Sequence, residues 1–262
     1  MRILTIGLVG EIRKTLLINW TYKANVFVSL FTLGFIFTGV VFFMGGGKLS
    51  PDKVASALLG YLVWMFAVTA ISDLSYGLRS EISAGTLEQL AMSPAPMGLL
   101  LMGRVIATLM IATVQVFIMG TIMVLLLGVR IPLRLEALPA LLITLLGVFG
   151  FGFIIAGATL IFKQVESFSN LLNNALAFLN GSFLPVSAMP IWMGVIAKTL
   201  PSTLGIIVIR DIILDGKSLA TTWTEGSLIE LTINSIIYFG VGWLVFAVCE
   251  RIAKNRGSLG QY

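Results

Sequence analysis

Four asparagines, Asn170, Asn173, Asn174 and Asn180, sit in a largely apolar stretch of the chain. At 3.6 residues per turn they fall within about one-third of a helical wheel. Amides in hydrocarbon are costly, so that face has to meet another helix or a hydrated pathway. Two readings stay open: hydrogen bonds that hold helices together, or the lining of a route across a membrane. A second group, Glu81, Gly85, Thr86, Leu87, Glu88 and Leu90, lies in a polar interval at 77–97. Thr86 and Gln89 have capping-box spacing, so a short helix is expected to start after Gly85. Ser80 followed by Glu81 offers a competing start a turn or more earlier, and Pro94 and Pro96 end the helix either way. A helix over about 80–93, with Leu87, Leu90 and Ala91 on one side, is shaped to fill a groove on a soluble partner; a solvated loop is the plainer reading. If one helix spans both, Glu81 and Glu88 share a face.

Other chemistries are closed off by residue type. Histidine is absent, which removes Ser-His-Asp triads, Cys-His dyads and histidine-ligated metals together, so no metal site is expected. Cys249 is the one cysteine and lies in an apolar run, where it reads as a small packed hydrophobe. The nearest approach to a phosphate-binding loop is Gly45-Gly46-Gly47-Lys48-Leu49-Ser50. It lacks the first glycine of that spacing and has leucine where Ser or Thr is needed, so it reads as a turn. No cofactor and no catalytic residue is expected in this chain; any ATP would be bound by another subunit.

These residues must be positioned by membrane helices. Hydrophobic residues make up 58% of 262 positions and charged residues 11%, with mean hydropathy +1.02. An average soluble chain is about one-quarter charged, so the fold class is read as an all-α integral membrane protein. A span needs about 20 mostly apolar residues. Runs of that kind occupy 24–44, 54–76, 99–127, 137–162, 170–184 and 228–249, giving six transmembrane helices within a domain at 24–250. Ahead of them Ile6, Val9, Leu16, Leu17 and Trp20 share an arc, so 1–23 is expected as an N-terminal interfacial helix. Arg2 and Arg13 fall in that arc and would snorkel. Pro185 and Pro190 stop the fifth span. Beyond them, 191–200 and 204–214 are apolar runs of about 10 residues separated by Pro201, too short to cross. A re-entrant helical segment over about 185–215, including Arg210, is expected against the neighbouring spans. The chain closes on a basic tail, 251–262.

Six spans put both termini on one side. With the N-terminus inside, ten basic residues fall in inner segments and seven in outer ones, and the first span's flanks agree. A multi-pass cell-membrane protein with both termini cytoplasmic is expected. The net charge of +5 sits beside apolar runs, not on a basic domain, so nucleic acid is not an expected partner. No secretory leader is expected, because Glu11, Arg13 and Lys14 interrupt the opening residues and no A-x-A site follows.

The spelling Glu81-x-x-x-Gly85-Thr86-Leu87-Glu88-Gln89-Leu90, followed by Ser93-Pro94, resembles the signature of the ABC type-2 permease family. A second match is Gly181-Ser182-Phe183-Leu184-Pro185-Val186-Ser187-Ala188-Met189-Pro190, then Leu200-Pro201 and Arg210. The resemblance implies a half-size transmembrane subunit of an ATP-driven exporter, two of which pair with two separate ATPase subunits that bind ATP and magnesium. The second permease copy would be identical or a paralogue. The stretch 79–92 would be the coupling helix that meets the ATPase. Cargo in the family includes drugs, lipids and polysaccharides. Polysaccharide exporters tend to carry Asn-Pro where this chain has Leu200-Pro201, which favours an amphipathic, drug-like or lipid-like cargo. A stand-alone secondary transporter or channel is the alternative, but it would want ionisable residues at the midplane and inverted repeats. Neither is read here. An intramembrane enzyme would lack histidine and have few buried acids to use.

Overall fold

The structure is a computed structural model that describes residues 2–44, 50–86, 92, 96–162, 166–183 and 185–255. Ten α-helices are described: α1 Arg2–Thr21, α2 Lys23–Met44, α3 Pro51–Ser83, α4 Met97–Leu127, α5 Ala137–Ile161, α6 Glu166–Leu179, α7 Ile191–Thr199, α8 Pro201–Ile213, α9 Leu219–Thr224 and α10 Ser227–Asn255. A 3₁₀ turn, Val186–Ala188, lies between α6 and α7. Five helices, α2, α3, α4, α5 and α10, are long and apolar enough to cross a membrane. The bend between α7 and α8 is 94°.

α5 packs closely along α10, and glycine makes their approach possible. A Cβ at Gly150 would collide with the Tyr238 backbone, and one at Gly242 with the Gly150 carbonyl. Lipid supplies no hydrophobic drive between helices, so such close backbone packing is what holds them. Gly152 and Ala156 are buried on the same helix. α3 packs on α5, joined by Leu74, Leu78, Phe153 and Phe246 in one apolar cluster. α2 rests more lightly on α3 through Phe37 and Tyr61, whose hydroxyl donates to the Leu33 carbonyl at 2.9 Å. Its other side, with Phe27, Phe31, Phe35 and Phe43, is open. In water such a face would be a liability; in hydrocarbon it is a solvated surface.

The bundle has two ends. The basal end carries α1, the end of α3 and the end of α10; the distal end carries the start of α3 and the α4–α5 connection. α7 descends from the distal end, and α8 begins at Pro201, which is buried beside Gly147 near the middle of α5. α8 then climbs back, burying Leu204, Val208 and Ile212 against Ala137, Ala140 and Leu228. Residues near both outer ends of the pair, Ile191 and Leu214, line one cavity with Asp52 and Arg130. Pro at the first position of α8 starts the helix without wasting a donor.

Three boundaries differ from expectation. α3 does not stop at 76 but continues to Ser83, 33 residues and about 50 Å. Ser80 is therefore no helix start: its hydroxyl donates to the Gly77 carbonyl within α3, and 80–83 are the last turn of α3. Gly85, at φ +68°, ends α3 with a Thr86 N–H to Glu81 C=O bond, the C-terminal pattern that a left-handed glycine permits. One α-helix consequently cannot carry both Glu81 and Glu88. The fifth expected span, 170–184, is helical over Glu166–Leu179, 14 residues and about 21 Å, and leaves the helix at Asn180. The basic tail begins as helix, since α10 runs to Asn255 with Lys254 paired to Glu250 at 2.7 Å.

Candidate functional site

At the basal end four charged side chains from three helices converge. Arg104, in the second turn of α4, donates through Nη2 to Glu11 Oε1 and Glu81 Oε1, each at 3.0 Å. Lys14 Nζ lies 2.6 Å from Glu81 Oε1 and 3.5 Å from Glu11 Oε1. The cluster is formally neutral and largely dry: the Arg104 side chain is 7% exposed, Glu11 10% and Glu81 13%. Two carboxylates on one guanidinium recover in attraction much of what burial costs each charge, and removing one partner would leave another stranded.

Local sequence creates the room. The guanidinium lies over Gly77, where a Cβ would collide with Nη1. Gly103 lets α1 come close, since a Cβ there would stand 3.0 Å from the Leu8 carbonyl. α1 therefore turns Glu11 and Thr15 toward the bundle and leaves Val9, Leu17 and Trp20 outside. Its apolar arc faces away from the protein, as an interfacial helix requires. Lys23 over the Trp20 ring, at 5.9 Å, marks the junction with α2.

Glu81 stands near the end of α3, 12 residues beyond the apolar window that ends at Thr69. Burial alone would raise its pKa. Hydrogen bonds from Lys14 and Thr86, with the charges of Lys14 and Arg104, prevail and hold it at about 2. The Thr86 hydroxyl donates both to the Glu81 carboxylate and to its backbone carbonyl. Glu81, Gly85 and Thr86 thus form one rigid corner where the chain leaves α3. Leu87, Glu88 and Leu90 lie outside the described residues.

The asparagines are separated by the packing of α6. Asn173 is buried and its Nδ2 donates to Ser72 Oγ on α3 at 3.1 Å. Asn180, seven residues on, is fully buried and accepts from the Ser182 N–H at 3.0 Å. Asn174 is exposed beside Leu171 and Phe178; the Asn170 side chain lies outside the described residues. Asn173 Oδ1 and Asn180 Nδ2 have no hydrogen-bond partner among the described residues. Along α3 the contacts run from Ser72 to Gly60, whose carbonyl accepts from Ser182 at 3.2 Å.

The re-entrant prolines divide by role: Pro185 precedes the 3₁₀ turn, Pro190 precedes α7, and Pro201 opens α8. Arg210 is a tie. Its Nε and Nη2 donate to the Ser56 carbonyl at 2.9 and 2.7 Å, and Nη2 also to the Ser182 carbonyl at 3.1 Å. It thereby joins α8, α3 and the turn after α6. Among the described residues no three His, Cys, Asp or Glu side chains gather as metal ligands.

Sequence reasoning placed Glu81 but passed over Glu11 and Arg104. The available signal was that Arg104, near the start of a span, has no acid within four residues of it. Such charges meet one another at the bundle interior.

A search of curated proteins finds no match. A scan against protein families matches the ABC-2 type transporter over residues 8–214, a stretch that includes the basal cluster, the rigid corner at Gly85 and the re-entrant pair. With that match across most of its length and with its array of apolar helices, the chain belongs to the ABC-2 type transporter family, whose membrane permeases work with ABC ATPase subunits.

Proposed function

We propose that this chain is the permease of an ATP-driven exporter, moving an amphipathic, drug-like or lipid-like cargo out of the cytoplasm or its facing leaflet. Two copies, or one copy and a paralogue, pair with two ATPase subunits at the basal end, which faces the cytoplasm. Both termini lie on that side, where basic residues are in excess. ATP and magnesium are bound by the ATPase subunits.

The observation that carries this reading is the buried Glu11–Arg104–Glu81 cluster. It fixes the corner from which the coupling segment departs to both α1 and α4. A push delivered to that segment by a soluble subunit therefore moves helices rather than bending a loop. A solvated loop has no use for that linkage. Asn174, exposed on α6 among apolar neighbours, is the asparagine best set to meet cargo or the second permease copy. Asn173 and Asn180 support α6 from behind.

Co-purification tests the reading. The parent chain should bring down an ATPase with a phosphate-binding loop. Truncating an anchor of an interface costs about 2 kcal/mol or more, roughly thirtyfold in affinity. Leu87→Asp and Glu88→Lys should therefore release the ATPase and stop transport while the spans still insert. Arg130→Glu, at the opposite end, should keep it. Complexes of both basal variants that assemble and pump like the parent would overturn the assignment.

A further inference from the structure

At the distal end the re-entrant pair and the start of α3 enclose an open vestibule of about 1140 Å³. Small-molecule sites are typically about 300–1,000 Å³, so it has room for a headgroup and part of a chain. Its lining combines two chemistries. Part of it is apolar: Val186, Met189, Ile191, Val195, Ile207 and Leu214. Four cations line it as well, Lys53 from α3, Arg130 from the α4–α5 connection, Lys198 from the end of α7 and Arg210 from α8. Three acids also line it, Asp52, Asp211 and Asp215. Asp211 is already engaged, because Lys217 reaches it at 3.0 Å and clasps Glu225 at 2.8 Å from the same ammonium. With Lys217 and Glu225 counted beside the lining residues, five cations face four acids, a net positive charge.

The cations also differ in freedom. Arg210 is fixed by the Ser56 and Ser182 carbonyls, so its charge is a permanent feature of the lining. Lys53, Arg130 and Lys198 stand exposed and can close on a ligand. α7 lines the vestibule with one side and exposes Trp192 and Ile196 on the other, an apolar surface suited to the bilayer. A hydrocarbon chain can therefore stay in apolar contact from bilayer to vestibule while its headgroup meets the three exposed cations.

We propose that this vestibule binds an amphiphile with an anionic headgroup, a phosphate or carboxylate carried on an acyl or similar apolar chain. That the amphiphile is cargo at its point of release rests on the exporter reading; the binding does not. Net positive charge selects the anion, the apolar part of the lining selects the chain, and neither suffices alone.

The test uses the full chain in phosphatidylcholine nanodiscs, with its co-purified ATPase. Short-chain phosphatidylglycerol, short-chain phosphatidylcholine and inorganic phosphate are titrated in turn by calorimetry. The comparison is with Lys53→Gln/Arg130→Gln/Lys198→Gln, which keeps Arg210 and its ties. Phosphatidylglycerol should bind the parent at least tenfold more tightly than either other probe. Each exposed cation removed should weaken it about fivefold, roughly a hundredfold for the three. Equal binding of the two lipids, phosphate binding as tight as phosphatidylglycerol, or an unchanged triple variant would each overturn the proposal. A second copy sealing the vestibule would show as no binding by the parent and would overturn it too. ATP hydrolysis is read in the same samples. Stimulation by phosphatidylglycerol in the parent and not in the triple variant identifies cargo. Binding without stimulation supports the site as a resident-lipid site and counts against the exporter reading.

Discussion

Replacing Arg104 by methionine removes the hub of the basal cluster while keeping a side chain of similar length. Glu81 then retains Lys14 at 2.6 Å and Thr86, but Glu11 keeps only Lys14 at 3.5 Å. Breaking a buried pair by deleting one partner costs about 3–5 kcal/mol, because the other charge stays uncompensated. The surviving lysine places this case at the lower bound, about 3 kcal/mol, roughly 150-fold in the equilibrium between docked and undocked α1. Thr15 reports on that equilibrium, since it is buried where α1 meets the bundle and cysteine fits its volume. In a Cys249→Ser background, Thr15→Cys should react slowly with a maleimide in opened membrane vesicles. Adding Arg104→Met should speed the reaction by about two orders of magnitude. Adding Glu11→Gln as well should bring the rate back to within about tenfold of the parent, because Lys14 then serves Glu81 alone. Labelling that is unchanged by Arg104→Met, or equally fast in the single and double variants, would refute the idea that Glu11 is held by charge.

Three further outcomes follow from the packing. Gly242→Ala should destabilise by about 1–3 kcal/mol through its collision with the Gly150 carbonyl. Gly240→Ala, which meets nothing within 4 Å, should gain about 0.5–1 kcal/mol, so melting midpoints should move in opposite directions. Arg210→Met strands two carbonyls, each bond to a charged donor being worth about 1.5–3 kcal/mol. It should lower the melting midpoint by several degrees, and Arg210→Lys should recover less than half, since an ammonium lacks the planar fork. The third outcome concerns pH. Glu81 is held at about 2 against an ordinary 4.5, so its contribution is complete above about pH 4.5 and is lost as pH falls toward 2. The stability difference between parent and Glu81→Gln should therefore be flat from pH 8 to about 5 and shrink below that.

Helices that end where lipid ends were legible in the sequence. The runs at 24–44, 99–127 and 137–162 lie within two residues of α2, α4 and α5 at each boundary. Apolar length and breakers such as Gly128, which closes α4 at φ 63°, set both limits. The break at Pro201 was legible too, because a proline between two short apolar runs opens a new helix, and α7 and α8 meet there at 94°. α3 was not, since its last turns leave the apolar window but remain helical, and hydropathy registers only the window. That Gly85 closes α3 with a left-handed backbone was not legible from spacing, and the helix expected after it lies outside the described residues. Glu11 and Arg104 are 93 positions apart, and only the docking of α1 on Gly103 brings them together. For the asparagines the wheel could not say where α3 would lie, nor that the helix would end before Asn180. Contact with Ser72 turned Asn173 inward and left Asn174, one residue on, outside.

The central claim is that the basal corner at Glu81–Thr86 is the seat of a separate ATPase. Native mass measurement of the transport-competent complex, extracted from membranes without crosslinking, tests it most directly. A mass equal to two permeases and two ATPase subunits, falling to permease alone with Leu87→Asp, is the predicted result. A lone chain that still transports would contradict it.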